Sequence, residues 1–199
     1  MEVGSTHGLE SESMLVLASA SPRRQELLRN AGIEFVVHPA HVPEVPQKDE
    51  SPKAYAERLA REKAHAVSRQ RPGDVVLGAD TIVVVDKTIL EKPNSPEDAA
   101  RMLRILSGRE HSVITGVCLV GEGFEDTRSE TTTVTMSGLS EYDIRFYVAS
   151  AEPMDKAGAY AIQGIASRWI PRIEGDYSNV VGLPVSLVYR MLRERGWKV

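Results

Sequence analysis

The chain has 199 residues, with 24 Lys+Arg against 28 Asp+Glu and a formal net charge of −4. That balance speaks against an extended basic face and hence against a nucleic-acid binder driven by phosphate neutralisation, although it leaves room for a small basic pocket. The only cysteine, Cys118, excludes an internal disulfide and a cysteine-based zinc cluster, and it suits a reducing cytoplasm.

Residues 1–13 (MEVGSTHGLESES) are polar and lack an apolar stretch, so they read as a disordered extension and not as a signal peptide. No run reaches the ~18 apolar residues of a membrane span. Residues 14–199 are long enough to bury roughly 70% of their unfolded surface, and we expect one domain there. Residues 14–18 form a short apolar run expected to be a buried strand. Ser19-Ala20-Ser21-Pro22-Arg23-Arg24 follows, and a helix is expected up to Gly32, with Ser21 as cap and Pro22 in the first turn. The Ser-Pro signal recurs at Ser51-Pro52, opening a helix to about Arg69, and at Ser95-Pro96, opening one that ends at Gly108. Asp98 lies three residues after Ser95, which predicts a capping box with Asp in place of Glu.

Residues 34–38 and 75–77 read as strands, and residues 81–85 and 88–90 as a hairpin turning near Asp86-Lys87. Residues 112–120 and 127–136 read as two further strands, the second rich in threonine and valine. A helix capped by Ser140 is expected over 140–149, strands over 160–163 and 169–173, and a last amphipathic helix over 184–195. Strands and helices in this order predict an α/β fold with a mixed sheet.

The familiar phosphate-loop, dinucleotide, zinc-protease and nucleophile-elbow motifs are absent from the sequence. None of the five histidines has zinc-like spacing, and Cys118 reads as a buried inert thiol. Three features suggest chemistry. Ser19, Ser21, Arg23 and Arg24 surround a helix start directly after a buried strand, a place where free amides and guanidiniums can grip phosphate; a capped helix with solvated arginines is the alternative. Asp80, between two apolar runs, is expected at or near a sheet edge, either as a solvated turn residue or as a cation holder. Lys63 shares a helical stripe with Tyr55, Leu59 and Val67, so it either snorkels or turns inward to an anionic partner such as phosphate. On this reading Lys63→Met keeps most of the packing and changes stability little.

The segments LASASPRRQELL, RLAREKA, GADTIV, LEKP, LSGREHSVITGV, EPMDKAGAYAIQG and NVVGLP, in this order, resemble the Maf family of septum-formation inhibitors and nucleoside triphosphate pyrophosphatases. The resemblance runs from about Leu15 to Arg195. It implies an α/β fold with a long mixed twisted sheet, flanking helices and two lobes around a deep cleft, related to inosine-triphosphate pyrophosphatases. It also implies cleavage of a nucleoside triphosphate to the monophosphate and pyrophosphate with a divalent metal ion such as Mg²⁺ or Mn²⁺.

Carried over by position, Ser19, Ser21, Arg23, Arg24 and Lys92 are expected to bind substrate, and Asp80, Lys63 and Glu44 to be catalytic. Asp80 is then the general base or, with Glu44, a metal ligand. Lys156 is a further cation of interest. Arg23, Thr81 and Gln163 match the subgroup that acts on dTTP and UTP, and the Gln163 amide can both donate to and accept from a pyrimidine edge. A subgroup that prefers 7-methyl-GTP carries an aromatic residue, Gln and Glu at those positions. The rival from another class is a non-catalytic nucleotide sensor in cell division. The resemblance suggests a homodimer, with no nucleic-acid or membrane partner.

Overall fold

The computed structural model describes residues 13–197, so the expected N-terminal extension, Ser13 apart, lies outside the described residues. Three helices start as their Ser-Pro pairs predict: α1 (Pro22–Asn30), α2 (Pro52–Ser68) and α3 (Pro96–Leu106). In each, the serine hydroxyl accepts the backbone N–H of the third helical residue, satisfying one of the orphan donors of the first turn. The Asp98 carboxylate does not return to Ser95, however. It accepts from the Asn94 N–H and from Arg101, so the expected capping box is not reciprocal. The reciprocal box is at Ser140 and Asp143, opening α4 (Glu141–Ala149).

Seven strands form one mixed sheet: β1 (Leu15–Leu17), β2 (Val36–Val37), β3 (Val75–Val85), β4 (Thr88–Leu90), β5 (Glu110–Gly121), β6 (Phe124–Thr135) and β7 (Arg172–Glu174). The order is β2-β1-β3-β5-β6-β7, with β4 paired to β3. β1 is parallel to β2 and β3, and the other pairs are antiparallel. The β3–β4 turn is at Asp86-Lys87, both with positive φ, as a tight hairpin of this hand requires.

The main departure from expectation is β3, which is one unbroken strand through Gly78-Ala79-Asp80. Asp80 is therefore not at a turn. On one side it pairs with Gly116 of the neighbouring β5, its other side is an uncovered stretch of strand edge, as expected, and its charge is compensated by a lysine. Residues 160–163 are not a strand either. Gly158 and Ala159 both take positive φ, and the Gly164 N–H closes a turn onto the Ala161 carbonyl. Trp169 ends a 3₁₀ turn, so the strand expected over 169–173 is only Arg172–Glu174. The expected 34–38 strand shrinks to two paired residues, Val36 and Val37. A short helix, α5 (Tyr177–Val181), was not expected. Asp176 caps it by accepting from the Ser178 and Asn179 N–H groups. The last helix, α6 (Val185–Glu194), is as predicted.

One sheet face packs on α2, through Val16, Val76, Cys118, Ala60, Ala64 and Val67. The other packs on α1 and α6, through Leu17, Leu77, Leu119, Leu28 and Val188. Beyond these, the far ends of β3, β5 and β6 build a second core with α3 and α4 around Leu103, Val113 and Tyr147. Cys118 is buried as expected, and burial pushes its thiol pKa up to about 11. No helix among the described residues is long and apolar enough to cross a membrane.

The second core contains a buried histidine. His111 Nε2 is 2.7 Å from the Tyr160 hydroxyl, and burial pushes the imidazole down to about 4. Unfolded, it titrates near 6.5, so between these values the unfolded chain binds more protons and stability falls as pH drops. We expect His111 alone to cost about 2 kcal/mol on going from about pH 7 to pH 5. Urea denaturation at the two pH values should show this loss, and His111→Gln should flatten it; an equal loss in the variant would assign the slope to other groups.

Candidate functional site

The edge of β3 facing β1 and β4 is only partly covered. β1 pairs with Val75, Val76 and Leu77, and β4 with Val83, Val84 and Val85. The stretch between them, from Gly78 to Ile82, has no strand on this side, and a cleft of about 430 Å³ opens beside it. β1 ends here and passes directly into the start of α1, which places Ser19, Ser21, Arg23 and Arg24 on the cleft wall.

Arg24 takes the place of the missing strand. Its Nε donates to the Gly182 carbonyl (2.8 Å), and Nη1 donates to the Ala79 carbonyl (2.9 Å) and to Ser19 Oγ (3.2 Å). Nη2 donates to Thr81 Oγ1 at 3.1 Å. These contacts use four of the five N–H groups of the guanidinium, leaving one on Nη2. The arginine thus positions Ser19 and Thr81 while adding its charge to the floor. Thr81 Oγ1 is also within reach of Thr115 Oγ1 (2.9 Å) and the Gly182 carbonyl (3.2 Å), so its hydroxyl is fully engaged. Arg23 points the other way, across the cleft mouth, and pairs with Asp155 at 3.1 Å.

Lys63 faces inward from α2 and does not snorkel. Its Nζ is 2.7 Å from Asp80 Oδ1 and 2.6 Å from Glu44 Oε1, and its side chain is only 10% exposed. The anionic partner is therefore a pair of protein carboxylates. Lys63 and Glu44 line the cleft, and Asp80 lies one layer behind them. Asp80 Oδ1 is held by Lys63, whereas Oδ2 has no hydrogen-bond partner among the described residues. Burial disfavours the charged form of Glu44, but the hydrogen bond and charge of Lys63, with Lys92 and Arg24 adding to them, hold its carboxyl below the usual range.

Lys92 and Lys156 complete the rim. Lys92 is exposed on the cleft and has no ion-pair partner among the described residues. Lys156 Nζ donates to the Glu152 carbonyl at 2.7 Å and pairs with Asp155. Gln163 lines the opposite end near Tyr160, Ile162 and Val180, and its amide has no partner among the described residues. It therefore does not serve merely to satisfy backbone groups at a strand end.

Sequence reasoning missed the second layer: Asp155, the Gly182 carbonyl, and the Tyr55 hydroxyl, which donates to Glu91 at 2.5 Å and ties α2 to the Lys92 loop. Only Gly182 had a local signal, since Asp176 and Gly182 bracket a segment that reads as one capped turn of helix.

Glu44 and Asp80 offer hard oxygen donors on either side of the Lys63 ammonium. Among the described residues no group of three or more His, Cys, Asp or Glu could hold a metal ion. Two carboxylates do not make a closed all-protein cage, and one oxygen of each is bound to the Lys63 ammonium between them. Their remaining oxygens are the hard donors that an ion of the Mg²⁺ kind takes together with substrate phosphates.

The chain is similar to known proteins over nearly its whole described length. The sequence profile of the Maf-like protein family matches residues 14–195. A dTTP/UTP pyrophosphatase of Koribacter versatilis is 60% identical over 182 residues, covering 92% of this chain and 94% of its own. Another, of Symbiobacterium thermophilum, is 52% identical over 185 residues, covering 93% and 95%. Among solved structures, a HAM1 protein from Coxiella burnetii covers 92% of this chain and 99% of its own at a TM-score of 0.47 and 17% identity.

The buried ion cluster changes the expectation for Lys63→Met. Removing the ammonium leaves Asp80 charged, 9% exposed and unpaired, so the variant should lose about 3 kcal/mol of stability. Adding Asp80→Asn should recover more than about half of that loss, because the stranded charge is gone. Urea denaturation of the single and double variants measures both. A loss under about 1 kcal/mol for Lys63→Met would place the cluster among solvent-screened pairs.

Proposed function

We infer, from a chain that belongs to the Maf-like protein family and from the chemistry of its cleft, that this protein is a nucleoside triphosphate pyrophosphatase acting on dTTP and UTP. The observation that carries the mechanism is the buried Lys63–Asp80 pair, met from the solvent side by the exposed Glu44, at a cleft walled by a helix N-terminus and basic side chains.

The α1 start and Arg23, with Lys92 and Lys156 on the rim, receive the triphosphate; amides and cations there act on charge as it shifts to the leaving pyrophosphate. A water attacks the α-phosphorus, the bond to the α–β bridging oxygen breaks, and the electron pair leaves with pyrophosphate. Asp80 takes the water's proton through Oδ2, while Lys63 holds Oδ1 and fixes the carboxylate. A second role for Asp80 is favoured by the two flanking carboxylate donors: together with Glu44 it would hold a divalent cation. Such an ion, when bound, neutralises phosphate charge and makes its water more acidic. Gln163 reads the base, its free amide able to donate to and accept from a pyrimidine edge. The reducing cytoplasm suits a single unpaired Cys118, and the family resemblance suggests a homodimer; sedimentation at micromolar concentration tests the latter.

Pyrophosphate release from a panel of nucleoside triphosphates with Mg²⁺ or Mn²⁺ tests the function. We expect UTP and dTTP to be best, with 7-methyl-GTP at least about 10-fold poorer in kcat/KM. Binding without release of pyrophosphate would support the sensor reading in its place. Asp80→Asn should cut kcat by more than about 100-fold while leaving nucleotide affinity within about threefold. Retention of more than about a tenth of wild-type kcat would remove Asp80 from the chemical step.

A further inference from the structure

We propose that Tyr147 and Glu152 are positioning residues for nucleotide selection, clamping the turn that presents Gln163 to the cleft. The proposal rests on the nucleotide reading of the cleft and deepens it. Two residues before Gln163, the Ala161 N–H donates to the Tyr147 hydroxyl oxygen at 3.0 Å. Two residues after it, the Ile165 N–H donates to the Glu152 carboxylate, 3.1 Å from Oε1 and 3.2 Å from Oε2. The Tyr147 O–H in turn donates to Glu152 Oε1 at 2.8 Å. Both flanks of the turn are thus tied to one side-chain pair, and neither flank uses a sheet ladder.

The clamp is stiff at its base and tight at its tip. Tyr147 is wholly buried and packs edge-to-face on Trp169, with ring centroids 5.5 Å apart. At Gly164, beside Gln163, a Cβ would lie 2.2 Å from Glu152 Oε1, so the turn lies directly on the carboxylate. Burial raises the pKa of the Tyr147 phenol, which keeps its proton available for Glu152. Gln163 itself has no partner among the described residues, so its direction is set by the backbone that carries it. An exposed amide on a free turn would sample many orientations; one on a fixed turn can distinguish base edges.

The test measures kcat and KM for UTP and GTP by pyrophosphate release, in the wild type and in Tyr147→Phe, Glu152→Ala and Glu152→Gln. Tyr147→Phe and Glu152→Ala should each raise the KM for UTP about tenfold, change kcat less than about threefold, and narrow the UTP-over-GTP ratio by a similar tenfold factor. Glu152→Gln keeps an acceptor oxygen and should hold that ratio within about threefold of wild type. In a Gln163→Ala background, Tyr147→Phe should change the ratio less than about twofold, because the clamp acts only through Gln163.

An unchanged ratio in folded Tyr147→Phe and Glu152→Ala overturns the proposal, as does a full additional effect in the Gln163→Ala background. If Tyr147→Phe does not fold, the two Glu152 variants carry the test. A wild type that releases no pyrophosphate would sink the hydrolase reading alone, since the ratio can then be taken from dissociation constants for UTP and GTP.

Discussion

The closeness of α2 to the sheet is the constraint on which the site depends. Gly78 of β3 and Gly116 of β5 face the helix, and a Cβ on either would lie 2.1 Å from the Ala60 carbonyl oxygen or 2.3 Å from that of Ala56. At these two points helix backbone therefore rests almost directly on strand backbone, with Ala56, Ala60 and Ala64 on the helix side. At that separation Lys63, one position before Ala64, reaches Asp80 in the middle of β3. A larger side chain at Gly78 would push the helix outward and loosen an ion pair whose worth depends on short, dry geometry. The apolar packing of α2 and the chemistry of Lys63 are thus one interaction seen from two sides.

The charges of the cleft separate into a floor and a rim. On the floor, Arg24 and Lys63 stand against Glu44 and Asp80, and the formal charges cancel. On the rim, Arg23, Lys92 and Lys156 outnumber Asp155, which leaves the mouth positive on a chain whose net charge is −4. A nucleoside triphosphate is drawn by the rim, where Lys92 is exposed and Arg23 and Lys156 are held by Asp155. The floor is left formally neutral, so its carboxylates are hydrogen-bonded to a cation and do not repel the substrate more than the floor cations attract it. Burial lowers the pKa of the Arg24 guanidinium, yet an arginine keeps its charge in such a place, where a lysine could lose it.

What was legible in the sequence follows the range of the interactions that decide it. The starts of α1, α2 and α3 depend on a serine and a proline a few residues away, and these were read correctly from Ser21, Ser51 and Ser95. The stripe of Tyr55, Leu59, Lys63 and Val67 placed Lys63 on or beside the apolar face of α2, but period alone left open whether it snorkels or turns inward. Which partner it meets there could not be read, because Asp80 and Glu44 reach it only through the fold. Asp80 looked like a break between two strands, since a buried carboxylate in mid-strand is costly unless a cation from another element offsets it. Residues 160–163 have strand composition, yet their flanking N–H groups are taken by Tyr147 and Glu152.

The two ends of the cleft are consequently built by different means. The phosphate end is sheet and helix: β1 running into α1, and β3 with its uncovered edge, a frame that short-range signals specify and that tolerates little displacement. The base end is a series of 3₁₀ turns from Glu152 to Trp169, held by side chains of α4 and by contacts among the turns themselves. On the proposed mechanism, chemistry common to every nucleoside triphosphate belongs on the rigid frame, because the α-phosphorus would meet Asp80 and Lys63 in one geometry whatever base is attached. Discrimination between bases needs only that a polar group be fixed where the base edge lies, and an exposed turn accepts a different residue more readily than a strand does. Arg24 links the two regimes: it fills the missing strand position beside Ala79 and binds the Gly182 carbonyl at the close of α5. Because Thr81 is held by that same guanidinium, a change at Thr81 alters the frame before it alters the base contact. On the proposed reading Gln163, carried on a turn held by Tyr147 and Glu152 and not by the Arg24 guanidinium, is the position where selectivity can vary while hydrolysis is left intact.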